Sequence, residues 1–276
     1  MTTNKTPKIS TKKKPDLIDI AAVTVAVAAV AAVLILIWNA NNFSAKWVIL
    51  RDNLFIYGGM NRVLEGLKNT VVIAVVGLVI GIVIGTLIAV AKVLPAYKRG
   101  VRYLQKVCDV YVAFFRGTPM VVQLLVGYYI IFPMLGITLP SVNVCTVIFG
   151  LNSGAYVSEI MRGGINSVDP GQMEAGRALG LSFGATMIKI VVPQAVKNIL
   201  PTMGNEFITL IKETSIVGYV GATDICVAFR KLGTDSYEYM MPYLVMALIY
   251  IVLVLLITLL IRIVEKRFGK SDRKSN

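Results

Sequence analysis

The hydrophobic and polar positions of this chain fall into long blocks. After a polar, basic stretch of sixteen residues, Leu17 to Trp38 is almost wholly apolar, interrupted by Asp19 and Thr24. Further apolar runs cover 70–93, about 120–137, about 139–161, about 199–220 and 243–263. Each is near the ~20 residues that a helix needs to cross a ~30 Å hydrocarbon core. The runs are apolar on every side, which argues against the alternating ~10-residue strands of a membrane β-barrel. Pro133, Gly136 and Pro140 mark a short turn between the third and fourth runs. The pattern predicts an all-α polytopic membrane protein with six spans.

Composition agrees. Hydrophobic residues make up 56% and mean hydropathy is +0.73, above the ~45–50% apolar content of soluble domains. The first run is longer than the ~7–15 apolar residues of a signal peptide and leads into Trp38-Asn39-Ala40, so it reads as an uncleaved anchor. The net charge of +13 raises the question of nucleic acid, but the basic residues flank the spans, where retention on the cytoplasmic side explains them. Six spans put both termini on one side. With that side inside, cytoplasmic segments hold five Lys and Arg before the first span, six in 92–116, four in 162–200 and six after 261; the outer segments 39–68 and 221–240 hold six. This asymmetry predicts both termini in the cytoplasm. Cys108, Cys145 and Cys226 are scattered and histidine is absent, so neither a metal site nor a disulfide framework is expected. With no Walker A run and no Ser/His/Asp set, no enzyme chemistry or nucleotide site is expected on this chain.

The most patterned segment is polar and lies between two spans. Asp169-Pro170-Gly171 is a turn signal, Gln172 to Leu179 favours helix, Gly180 suits a left-handed cap, and Ser182 suits the start of a second helix. Ala185 to Val192 continues helically and Pro193 marks a bend. Glu174 and Arg177 stand at i,i+3. On spacing alone, a docking site and an interfacial anchor are equally open.

Glu174-Ala175-Gly176, Gly180, Ile190 and Pro193 resemble the cytoplasmic coupling loop of bacterial ABC importer permeases. Gly176 stands where that motif prefers Ala, a small-for-small change, and Val192 where Leu is usual. The likeness continues in Phe115-Arg116-Gly117-Thr118-Pro119 with Gln123, in Ala155 to Ile165, and in Lys212-Glu213-Thr214-Ser215. These resemble the signatures of polar amino-acid permeases of the histidine and glutamine type, in the family's order over roughly 65–265.

The resemblance implies a type I ABC importer permease with a five-helix core over 69–264 and its coupling loop at 163–198; the apolar run 17–38 reads as an extra N-terminal transmembrane helix to which the resemblance assigns no task. Charge and hydropathy add basic tails at 1–16 and 265–276 and an outer segment 39–68, and the resemblance implies a place in the bacterial plasma membrane. ATPase subunits would carry the ATP and magnesium, an extracytoplasmic binding protein would deliver an amino acid, and a second permease copy would complete the path. Glu174, Ala175, Gly176, Gly180 and Pro193 would serve ATPase coupling.

Asn152, Tyr156 and Glu159 share one helix face, and Asn205, Thr209 and Lys212 repeat the spacing. Polar groups at bilayer depth face a cavity or one another, which makes these six the candidates for the solute path. The alternative is packing, with Glu159 paired to Arg162 and Lys212 to Glu213. Gly77, Gly81 and Gly85 predict close helix approach. Rival functions are a permease for another small polar solute and an ion-coupled secondary transporter, whose broken-helix repeats are not evident.

Overall fold

The structure is a computed structural model that describes residues 28, 32, 35, 42–94 and 97–269. The expected first span, 17–38, lies outside the described residues save for helical positions 28, 32 and 35. Helix α1 (Phe43–Phe55) crosses the boundary between two compact units, one ending at Ile49 and one beginning at Leu50. The second unit holds the remaining elements. Among the described residues it is wholly helical and irregular, with no strand.

Helix α2 (Gly59–Val93) begins well before the expected 70. Hydropathy alone stops short because Asn61, Arg62, Glu65, Lys68 and Asn69 interrupt the apolar run. The inner face of this extension is Gly59, Val63, Gly66 and Thr70, all buried. A Cβ on Gly66 would lie 2.5 Å from the Asp224 carbonyl oxygen, and one on Gly59 2.5 Å from Leu232. The missing side chains therefore let α2 dock on the segment that opens helix α8 (Ile225–Ser236). Asp224 caps α8 by accepting from Val227 N at 2.9 Å and Cys226 N at 3.0 Å.

Helix α3 (Arg99–Gly117) occupies a stretch expected as a connection. Val101, Gln105, Cys108, Val112 and Phe115 face inward at helical spacing, and Cys108 and Val112 pack with Ile88, Ala91 and Ala155. Gln105 also donates to the Ala91 and Leu94 carbonyls at 3.2 and 2.9 Å, satisfying acceptors left open at the end of α2. Helix α4 (Met120–Met134) follows after a turn of 107° and contains a π-helical stretch, Gly127–Ile131.

Helix α5 (Ser141–Asn166) packs along α2. Gly81 faces Ser153 and Gly85 faces Val157, where a Cβ would stand 2.7 and 2.6 Å from the nearest side-chain atom. Gly150 and Gly154 return the arrangement against Ile80 and Ile84. The glycines thus serve packing inside the chain, bringing two backbones close.

A short helix α6 (Pro170–Ala178) leads to α7, which runs unbroken over 183–213 through a π-helical stretch, Met187–Val191. A 3-10 segment, Thr214–Val220, joins it to α8, and α9 (Met240–Gly269) closes the bundle. The expected span at 199–220 is therefore the far half of a longer helix plus a tighter coil. The principal core joins α2, α4, α5, α7 and α9 through Ile73, Leu124, Phe149, Leu210, Ile211 and Ile257.

By length and composition, three described helices suffice to cross a membrane: Gly59–Val93, Ser141–Asn166 and Met240–Glu265. The bent pair Arg99–Gly117 and Met120–Met134 makes a fourth candidate. Helix α7 carries Lys197, Glu206, Lys212 and Glu213 and does not join them.

Candidate functional site

Two adjoining features arise from these elements. The first is α6 with its turn. Asp169 accepts from Gly171 N at 2.8 Å, and Pro170 occupies the first turn, where an N–H is not needed. At the other end Gly180 N donates to Arg177 O at 2.9 Å and Leu181 N to Gly176 O at 3.0 Å, with Gly180 at φ +78°. These two bonds form a Schellman cap. Ser182 then caps α7 by accepting from Ala185 N at 3.3 Å. The chain therefore reverses between two capped helices within four residues.

The inner side of α6 is Met173 and Gly176, held by a cluster of Val168, Val191 and Ala195 with Met187. A Cβ at 176 would stand 2.7 Å from Thr186 Oγ1 and closer still to Thr186 Cγ2. Glycine here is thus more than a small-for-small change: alanine does not fit unless Thr186 moves. The opposite side exposes Glu174, Ala175, Arg177, Ala178 and Leu179, the last 80% exposed. Among the described residues no ion pair joins Glu174 to Arg177. Pro193, expected to mark a bend, sits inside α7 two residues past the end of the π-helical stretch at Val191. Pro lacks an N–H, and such wider turns absorb the break in the hydrogen-bond ladder.

The second feature is the α3–α4 break and the cleft at its side. Thr118 is extended at φ −119°, ψ 145°, as a residue before proline prefers, and Pro119 opens α4. Gln123 donates to Phe115 O at 2.8 Å, Thr118 O at 3.0 Å and Thr118 Oγ1 at 2.8 Å. Asn152 donates to Gln123 Oε1 at 2.8 Å and Phe115 O at 3.3 Å. Asn152 is 5% exposed, so its amide nitrogen is committed to the break, apart from the other path candidates. Gly117 is exposed, with nothing near a Cβ placed there.

Glu159 lies among three cations: Arg162 at 2.7 Å, Lys92 at 3.2 Å and Arg116 at 3.6 Å. Lys92 also meets Asp109 at 2.9 Å. Five charges from α2, α3 and α5 are thus tied together. The Arg116 guanidinium lies 5.6 Å from the centre of the Tyr156 ring, within cation–π range. Arg116, Tyr156 and Glu159 open onto a cleft of about 480 Å³ whose far wall is Ser167, Asn198 and Thr202.

Asn198 and Thr202 begin a row on α7 that Asn205, Thr209 and Lys212 continue, at steps of four and three residues. Asn205, Thr209 and Lys212 are all exposed, and Thr209 donates to Asn205 O at 3.1 Å. Lys212 opens onto a second, largely apolar cleft with Tyr250 and Leu255. It makes no ion pair with Glu213 among the described residues. Sequence reasoning missed Lys92, Asp109, Asn198 and Thr202. The last two were legible as an extension of the Asn205 row by two more helical steps.

Comparison with known proteins points one way. The arginine transport system permease protein ArtQ of Bacillus subtilis is 40% identical over 210 residues, covering 76% of this chain and 94% of that protein. A putative glutamine transport system permease protein of Rickettsia bellii is 40% identical over 205 residues, covering 74% and 92%. Among solved structures, an amino acid ABC transporter crystallised with histidines superposes with a TM-score of 0.70 at 35% identity, covering 78% of this chain and 98% of that one. The MetNI methionine ABC transporter shares the fold, with a TM-score of 0.59 at 20% identity over 76% and 95% of the two chains. Residues 81–270 match the model of one family, and with it the chain belongs to the binding-protein-dependent transport system inner membrane components.

Proposed function

We propose that this chain forms the translocation path for a polar amino acid in an ABC importer and that α6 receives the stroke of a partner ATPase. The carrying observation is the two-sidedness of α6. One face is locked by Gly176 against Thr186, while the other leaves Glu174, Ala175 and Leu179 outward. A helix so held moves with its support. Its support is α7, unbroken over 183–213, so a push on α6 is passed to the row Asn198, Thr202, Asn205, Thr209 and Lys212. Packed elements transmit displacement as rigid bodies, and ATP binding biases a two-state pair of arrangements.

In this reading the chain has no catalytic activity of its own. ATP and magnesium belong to the ATPase subunits, an extracytoplasmic binding protein delivers the amino acid, and a second permease copy completes the path. An amino-acid zwitterion requires a cation for its carboxylate and acceptors for its ammonium. Lys212 supplies the cation, and Asn205 and Thr209, two turns and one turn before it on the same row, supply the acceptors; Asn152 acts by holding Gln123.

Reconstitution with the ATPase and binding protein tests this. Uptake requires ATP, Glu174→Lys abolishes both ATPase retention and uptake, and Thr209→Ala changes the KM for uptake with the ATPase still bound. Uptake that persists without ATPase or ATP would sink the reading.

A further inference from the structure

We propose that the first two turns of α3 form a binding site for the phosphodiester group of an anionic membrane phospholipid. Arg99, Arg102, Tyr103 and Lys106 line one cavity of about 220 Å³. Their spacing of i, i+3, i+4 and i+7 places them on one side of the helix, away from the face of Val101, Gln105 and Cys108 that packs inward. Three cations and a phenol hydroxyl offer donors only toward an oxyanion, and arginine suits phosphate geometry.

The apolar surface next to the cavity identifies the anion as a lipid. Tyr103, Val107, Val110 and Phe114 are 69%, 66%, 70% and 55% exposed, and their helical spacing makes one stripe leading away from the basic turns. A phosphate at one end and hydrocarbon along the rest is the chemistry of a phospholipid at the interface. The cavity lies at the end of α2 that also carries the Lys92–Glu159 pair, where the basic segments collect. Anionic lipids attract such segments by about 1 kcal/mol per Lys or Arg. The inference is independent of which solute the chain carries.

The test uses the full-length chain in nanodiscs of phosphatidylcholine containing phosphatidylglycerol, with retained lipid counted by native mass spectrometry. The wild type keeps phosphatidylglycerol preferentially. The triple variant Arg99→Gln, Arg102→Gln, Lys106→Gln binds it on the order of a hundredfold more weakly, and Lys106→Gln alone, which keeps the fold if the triple does not, about fivefold more weakly. Val107→Ser with Val110→Ser weakens phosphatidylglycerol retention. Equal retention by wild type and Lys106→Gln overturns the proposal, as does retention of phosphatidylcholine equal to that of phosphatidylglycerol. Displacement of the lipid by millimolar inorganic phosphate, with the serine variants unaffected, identifies a free-anion site and also overturns it. So does loss of ATPase retention, rather than of lipid, in the charge variants.

Discussion

Asn152 on α5 donates its amide to Gln123 on α4 at 2.8 Å, and Gln123 in turn holds three oxygens of the α3–α4 break. Removing either side chain leaves buried acceptors unmet, at a cost of about 1–3 kcal/mol. Because both act on the same break, Asn152→Ala and Gln123→Ala are expected to be less than additive. A double-mutant cycle by denaturant unfolding in detergent checks this, and full additivity refutes the shared network.

Gly176→Ala should destabilise the α6–α7 turn by ~1–3 kcal/mol, the usual range for an overpacked site. The added methyl meets Thr186, whose backbone N–H already satisfies the Ser182 carbonyl at 2.9 Å. Thr186→Ala removes the obstructing atoms without orphaning that carbonyl. The pair Gly176→Ala with Thr186→Ala is therefore expected to regain most of the stability and the ATPase retention. No rescue would show that the glycine serves something other than close packing.

Gly180 makes a different demand. Nothing lies within 4 Å of a Cβ placed there, yet its φ is +78°. The penalty for substitution is then backbone strain, about 1 kcal/mol for alanine and more for a β-branched residue, while asparagine tolerates the conformation better. Thermal unfolding should rank Gly180→Asn as mildest, then Ala, then Val. A flat series would contradict the Schellman cap as the reason for glycine.

Local chemistry made the caps of this segment readable in advance. Asp169-Pro170, Gly180 and Ser182 each act on neighbours within a few residues, so their roles lie in the order of the chain. The same holds for Glu159 with Arg162, one turn apart. What sequence did not reveal joins distant positions. Helix α3 reads as a charged connection until Cys108 and Val112 are set against Ile88 and Ala155. The early start of α2 needs Asp224 and Leu232, far along the chain, to explain Gly66 and Gly59. Asn152 shares a helical face with Tyr156 and Glu159 by spacing, but Gln123 draws its amide elsewhere. Hydropathy measures what a residue prefers, whereas these features depend on what it meets.

The Glu159 cluster allows an ordered prediction. Arg116 is the farthest of its cations, at 3.6 Å, with its side chain 46% exposed; Arg162 is close at 2.7 Å but 45% exposed. Lys92 is 17% exposed and serves both Glu159 and Asp109. Solvent screens exposed pairs to about 0–1 kcal/mol, whereas removing the less exposed Lys92 breaks the link from α2 to both Glu159 and Asp109 and leaves Glu159 to the two arginines alone. Substitution by glutamine should therefore cost least at Arg116, more at Arg162 and most at Lys92. High salt should narrow the effects at the two arginines more than the effect at Lys92, because screening reaches exposed charges first. Thermal unfolding of the three variants at low and high salt checks both orders. A larger loss at Arg116 than at Lys92 would mean that the cation beside Tyr156, rather than the bridge between α2, α3 and α5, holds this end of the bundle together.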